Sequence, residues 1–143
     1  MVFWNLLLLF AFAYIAQVFL VMIQIKDFNL NYKDLRKIGM VAIGKKKGGF
    51  FAGAIVMFAI DKKGNIIKGK YMTGVTVFCR FKNLNDFNGI NISNINEEQV
   101  KKYSKQVRQA ILDSSSNYTI LINGGTIEEP KSPFQKLVHV LKK

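Results

Sequence analysis

Three short stretches hold residue types from which a chemical site could be built: "GKKKGG" at 44–49, "FCR" at 78–80 and "VHV" at 138–140. Glycines and lysines in a loop can cradle a phosphate. This run, however, lacks the Gly-Lys-Ser/Thr ending at a helix start that a nucleotide-binding loop requires. Cys79 beside Arg80 has the makings of a reactive thiol, but strand alternation sends neighbouring side chains to opposite faces, which leaves a buried cysteine. His139 sits among Leu137, Val138, Val140 and Leu141 as an ordinary residue of an amphipathic helix. Asp61 falls in a turn, and Glu128 and Glu129 in a loop before Pro130. Histidine, cysteine and carboxylates do not cluster as metal ligands do. The reading is of a protein with no catalytic constellation, no metal site and no cofactor, and so not an enzyme.

What remains is charge. Lysine and arginine number 21 against 9 acidic residues, a net +12, and every charged residue follows Ile25. Residues 26–82 hold 13 basic and 3 acidic side chains, net +10, whereas residues 83–143 hold 8 and 6, net +2. The candidate contacts to a phosphate-bearing partner are Lys45, Lys46, Lys47, Lys62, Lys63, Lys68 and Lys70. Anionic lipid headgroups attract such residues at about 1 kcal/mol each near the surface. Nucleic acid is the other partner of that chemistry. Helix-turn-helix reading is not encoded, because the helical segments 97–113 and 133–143 are separated by a strand and loops.

The elements that position these residues begin with "VFWNLLLLFAFAYIAQVFLVMIQI", Val2 to Ile25, 24 residues without a charge. As a helix it spans ~36 Å, more than the ~30 Å hydrocarbon core of a bilayer. Asn5 and Gln24 lie near its ends, where polarity is cheap, and only Gln17 opposes insertion from inside. No polar face marks a core helix, and no basic start or small-residue cleavage site marks a signal peptide. A retained single-pass helix is expected at 2–25. Lys26, Lys33, Arg36, Lys37 and Lys45 to Lys47 on its C-terminal side place the remainder in the cytoplasm. A lone cysteine fits that reducing compartment. The triplets "NIS" at Asn91 and "NYT" at Asn117 then have no meaning as glycosylation acceptors.

Phe28, Tyr32, Leu35 and Ile38 or Gly39 continue a helical beat through 26–39, an amphipathic segment lying on the membrane or against the domain. From Met40 the texture is that of strands. "MVAIG" ends in the basic turn, "FFAGAIVMFAID" runs to the turn "DKKGN", and "IIKGKYMTGVTVFCRF" returns as the second arm of a hairpin. Along that arm Val75, Val77, Cys79 and Phe81 share one face and Thr76, Phe78 and Arg80 the other. Glycines 53, 69 and 74 suggest bulges or close backbone approach. A helix is read at 97–113, a short strand in "NYTILINGGTI" and a closing helix in "SPFQKLVHVLKK". The fold class is α+β: a membrane helix, then a small antiparallel sheet domain with two or three short helices. The cytoplasmic domain covers 40–143, β-rich at 40–82 and variable and helical at 83–143.

The order of these pieces resembles the glucitol (sorbitol) operon activator family, the GutM proteins. The likeness rests on Phe28, Asn29, Leu35, Gly39, Val41 and Gly44, on "IDKKGNII", and above all on Gly74, Thr76, Val77, Phe78 and Arg80. It covers roughly residues 1–82, and beyond residue 83 the match fades. The resemblance implies a transcriptional activator encoded with a sorbitol phosphotransferase system, with no catalytic residues to carry over. Two mechanisms are compatible with it. The domain could bind promoter DNA through the 50–81 hairpin, or act as an adaptor that binds a sugar transporter component or another regulator at the membrane. In the second, Phe78 and Arg80 are the partner-facing residues. Nothing in the sequence sets the oligomeric state.

Overall fold

No proline or glycine interrupts the chain between Val2 and Ile38, and in a computed structural model α1 (Val2–Ile38) is one unbroken helix of 37 residues. Arg36 and Lys37 in its last turn complement the helix dipole. Gly39 then donates its N–H to the Leu35 carbonyl at 3.2 Å and leads directly into the sheet. The structure describes residues 1–48, 52–74 and 78–126. The membrane and juxtamembrane segments read separately from the sequence are thus continuous. The apolar part is long enough to cross a bilayer and none of it is buried against the rest of the chain.

Four antiparallel strands follow in the order β1 (Met40–Lys46), β2 (Gly53–Ile60), β3 (Ile66–Gly74) and β4 (Lys82–Asn83). Met40 pairs with Ile60 and Lys46 with Ala54, while Gly53 pairs with Gly74 and Ile60 with Ile66. The register slips once, between Ala59 and Ile60. The β2–β3 turn is the one the sequence announces. Asp61 accepts from the Lys63 and Asn65 amides at 2.8 and 2.9 Å, and Gly64 supplies the positive φ of 86°.

Both faces of the sheet are covered. On one, Ala42, Val56, Phe58, Ile60 and Ile66 pack against Val107, Ala110, Ile111 and Tyr118 of α3 (Lys105–Ile122). Phe87, Ile92 and Val100 close the same core from the loops, the short 3-10 turn Ile92–Asn94 and α2 (Glu97–Val100). On the other face Met57 and Ala59 pack against Leu35, with Phe28, Tyr32, Val41, Ile43, Ile55 and Phe81 around them. Burial on two sides is why β2 reads as a continuous apolar run with no polar alternation.

Among the described glycines, the closest approach to backbone atoms is made by Gly44. A Cβ there would lie 2.0 Å from the Ala110 carbonyl oxygen and 2.4 Å from the Ser114 nitrogen, so β1 meets α3 backbone to backbone. Two side chains of α3 also cover the free edge of β1. Asp113 accepts from the Lys45 amide at 2.9 Å, and Asn117 donates to the Ile43 carbonyl at 3.2 Å. An edge strand with these groups engaged is a poor template for a further strand.

Several expectations are corrected. The hairpin's second arm ends at Gly74, so Phe78 to Phe81 do not belong to it, and residues 75–77 lie outside the described residues. The segment 97–113 is two helices, because Asn96 caps α2 in a reciprocal box with Gln99 and Ser104 then caps α3. "NYTILI" is the end of α3 and not a strand: Tyr118 continues the buried stripe of Val107, Ile111, Ser114 and Ser115. The basic turn begins later than read, since Lys45 and Lys46 are still in β1. The closing helix at 133–143 falls outside the described residues.

Candidate functional site

The direction of α1 divides the basic residues into two groups. Between Gln24 and Ile38 the helix advances ~21 Å, and β1 runs back ~20 Å over its own length. Lys45, Lys46 and Lys47 therefore return to the level of Gln24, at the end of the apolar segment. There they line a cavity of about 240 Å³, floored by Ile55 and Met72 with Gly53, Gly74 and Cys79 beside them. A second hollow of about 280 Å³ opens on the other side of Lys46 and Lys47, where Lys105, Gln106 and Gln109 of α3 complete its wall. The two lysines stand between both hollows.

Lys62 and Lys63 lie at the opposite end of the sheet, ~20 Å away along β2. They are exposed on a rigid turn. Asn91 donates to the Lys63 carbonyl at 2.9 Å and the Ile92 amide to the Gly64 carbonyl at 2.9 Å. Asn65 above all holds the Asp61 carboxyl below its usual range through a backbone hydrogen bond. Lys68 and Lys70 point from β3 toward the α1 side of the sheet, opposite Ala59 and Met57. Lys70 donates to Asn31 of α1 at 2.6 Å, so it fastens the helix to the sheet. The seven candidate lysines thus do not converge on one surface.

Phe78 and Arg80 follow Gly74 at the Gln24 end of the sheet. Phe78 is 73% exposed, and the Arg80 guanidinium donates to the Cys79 carbonyl at 3.1 Å. Cys79 is half-buried against Gly74, where an added Cβ would come within 1.8 Å of its sulfur. Phe81 turns inward onto Phe28 of α1, with ring centroids 5.9 Å apart.

A further polar group escaped sequence reading. Lys102 approaches the Asp86 carboxylate at 2.8 Å, and the Tyr103 hydroxyl donates to the same oxygen. The Lys102 hydrogen bond, then that of Tyr103, holds the Asp86 carboxyl below its usual range. Burial first, and then the bond to Asp86, pushes the Tyr103 phenol above its own. The Tyr103 ring lies against Phe87 and Tyr71, so this group ties the 85–88 loop to the start of α3. Its parts are scattered in sequence, and no spacing could have announced it. The one available signal for the basic end was Gln24, a polar residue closing an apolar run. Chemically, the arrangement at that end can hold an anion beside apolar surface. Among the described residues no three histidine, cysteine or carboxylate side chains are grouped to hold a metal.

Comparison with known proteins points the same way as the resemblance. The family model described as glucitol operon activator protein (GutM) matches residues 5–111, and so runs past residue 82 through α2 and into α3. The chain is 28% identical over 88 residues to the glucitol operon activator protein of Escherichia coli (strain K12). That alignment covers 62% of this chain and 74% of the relative. No solved structure matches. With three quarters of its length inside the family model, from the membrane-length helix to Ile111 in the first half of α3, this chain belongs to the glucitol operon activator family.

Proposed function

We propose that this protein is a membrane-anchored, non-enzymatic activator of a glucitol (sorbitol) utilisation operon that works by binding a protein at the membrane. The partner is a sugar phosphotransferase component or another regulator. The observation that carries the reading is the cover on both faces of the β2–β3 hairpin. Direct readout needs a helix or ribbon whose side chains reach base edges in a groove. Here the ribbon lies between α1 and α3, and Lys70 is engaged by Asn31. Only Lys62 and Lys63 reach outward from its turn, and two phosphate contacts give weak, salt-sensitive binding. The excess of lysine and arginine after Ile25 supports a cytoplasmic domain. Phe78 and Arg80, exposed at the membrane end, are the residues offered to a partner there.

Fluorescence anisotropy tests the reading, using the full chain in nanodiscs with promoter duplex from its own operon and a shuffled duplex across a salt series. Equal binding to both, erased by about 150 mM salt, is expected. Tighter binding to the promoter that survives that salt, and that falls when Lys62 and Lys63 are replaced, would establish a tethered DNA reader in place of an adaptor. In cells, Phe78→Ala with Arg80→Ala should abolish activation of an operon reporter while the protein stays folded in the membrane.

A further inference from the structure

The cavity between α1 and the sheet has three properties that belong together. Its rim carries Lys45, Lys46 and Lys47, its floor is the apolar Ile55 and Met72, and its wall on the helix side is Gln24. A hydrocarbon core of ~30 Å takes about 20 helical residues. With residues from Val2 onward inside it, Gln24 sits at headgroup depth. The cavity's volume of about 240 Å³ lies below the ~300–1,000 Å³ of pockets that enclose a whole small molecule. It suits one part of a larger amphiphile. A mixed lining of cationic rim and apolar floor is the complement of a phosphate attached to a glycerol backbone and the first methylenes of an acyl chain. A free polar anion would gain nothing from Ile55 and Met72. Asp27, the carboxylate on this stretch of α1, lies about one turn beyond Gln24 and does not line the space.

We infer that this cavity is a binding site for one anionic phospholipid of the bilayer that α1 crosses, its phosphate held by Lys45 and Lys47, with Lys46 adding charge from the neighbouring face, and its glycerol and upper acyl region against Ile55 and Met72. The inference rests on the reading of α1 as a membrane span. The lipid would fill the gap between helix and sheet, and so fix the tilt at which the domain presents Phe78 and Arg80. Regulation by membrane composition follows from such a site.

The test uses the full chain in nanodiscs of phosphatidylcholine alone or with phosphatidylglycerol, with retained lipid counted by native mass spectrometry. Wild type should keep phosphatidylglycerol over phosphatidylcholine by about tenfold or more, as expected for several lysines acting on one phosphate. Lys45→Gln with Lys47→Gln, both exposed, should lose that preference. So should Met72→Trp, which fills the space without touching the charge; Ile55→Phe serves if the tryptophan variant does not fold. Preference lost in the lysine variant but intact in the cavity-filling variants would mean diffuse surface attraction, and would overturn the site. Absence of preference in wild type would overturn it too. Displacement of the lipid by glycerol phosphate in solution would make the ligand a soluble phosphate compound, and would overturn the lipid assignment. Failure of the chain to enter nanodiscs at all would instead remove the membrane span itself, an outcome separate from the others.

Discussion

The two faces of the sheet are held by different means. Against α3 the contact is close and largely apolar, with backbone touching backbone at Gly44 and the β1 edge bonded to Asp113 and Asn117. Against α1, among the described residues, just Leu35, Met57 and Ala59 are fully buried, the Lys70–Asn31 bond is polar, and the cavity at the Gln24 end has an apolar floor, whereas the hollow beside α3 opens at the polar start of that helix. The difference separates two jobs. The larger buried apolar cluster on the α3 side specifies the domain. The α1 side orients that domain on the helix that carries it, and an orienting contact tolerates, or uses, unfilled space.

Gly44 is the place where that contrast breaks most sharply. Gly44→Val drives a side chain into the Ala110 carbonyl and the Ser114 nitrogen, backbone atoms that cannot swing aside. A loss of about 3 kcal/mol is expected, a large share of a whole stability of order 5–15 kcal/mol. Urea denaturation of the purified full chain would measure it. If Gly44→Ala costs no more than a surface change, α3 does not sit as described and the distinction between the faces fails. Leu35→Ala comes next, at about 2–3 kcal/mol, the lower part of the range for buried leucine because the cluster around it is small. Its signature differs from that of Gly44. Hydrogen exchange should quicken in α1 from Gln24 to Ile38 while β1 and α3 stay protected.

Legibility followed the same division. The apolar run, the 26–39 stripe and the "DKKGN" turn were plain in the sequence because each is fixed by neighbours within one helical turn or hairpin. The α3 face was hidden. "DSSSN" at 113–117 reads as a polar break, yet Ser114 is buried where Gly44 of β1 meets the helix, and Ser115 is buried with its hydroxyl donating to the Ile92 carbonyl at 2.7 Å. "NYTILI" has the β-branched residues of a strand, and tertiary burial of Tyr118 keeps it helical. The basic site was half legible. Lys45 to Lys47 drew attention by charge, but the pairing of their strand end with Gln24, and the separation from Lys62 and Lys63, depends on the helix and β1 running back to back for equal lengths.

Asp113→Ala sharpens the comparison at smaller scale. It removes the acceptor of the Lys45 amide, which is exposed enough to find water instead, so a loss of about 1 kcal/mol is expected. The same change uncovers part of the β1 edge. Concentration-dependent association by analytical ultracentrifugation in detergent should appear in this variant and not in Leu35→Ala, since only the α3 side guards that edge.

The smallest effect is titration within the α3-side layer. The Asp86 carboxyl is held below its ordinary 3.8, so its bonds to Lys102 and Tyr103 stabilise the fold fully above that value, and the contribution is lost as pH falls below it through the lowered value of the folded state. Tyr103 moves the other way. Its phenol is raised above 10.0, so above that pH the unfolded chain releases a proton that the folded chain retains, and stability declines as pH rises. Tyr103→Phe keeps the ring against Phe87 and Tyr71 and removes only the hydroxyl. The alkaline decline should flatten in this variant while most of the acid decline persists, because Lys102 is the larger cause of the Asp86 shift. Asp86→Asn should do the reverse: the acid limb shrinks, and the alkaline limb weakens only in part, since burial is the larger cause at Tyr103. Urea midpoints collected from acid to alkaline pH would separate the two. Identical profiles for both variants would mean that Asp86 and Tyr103 titrate as one unit, with hydrogen bonding outweighing burial on this side of the sheet.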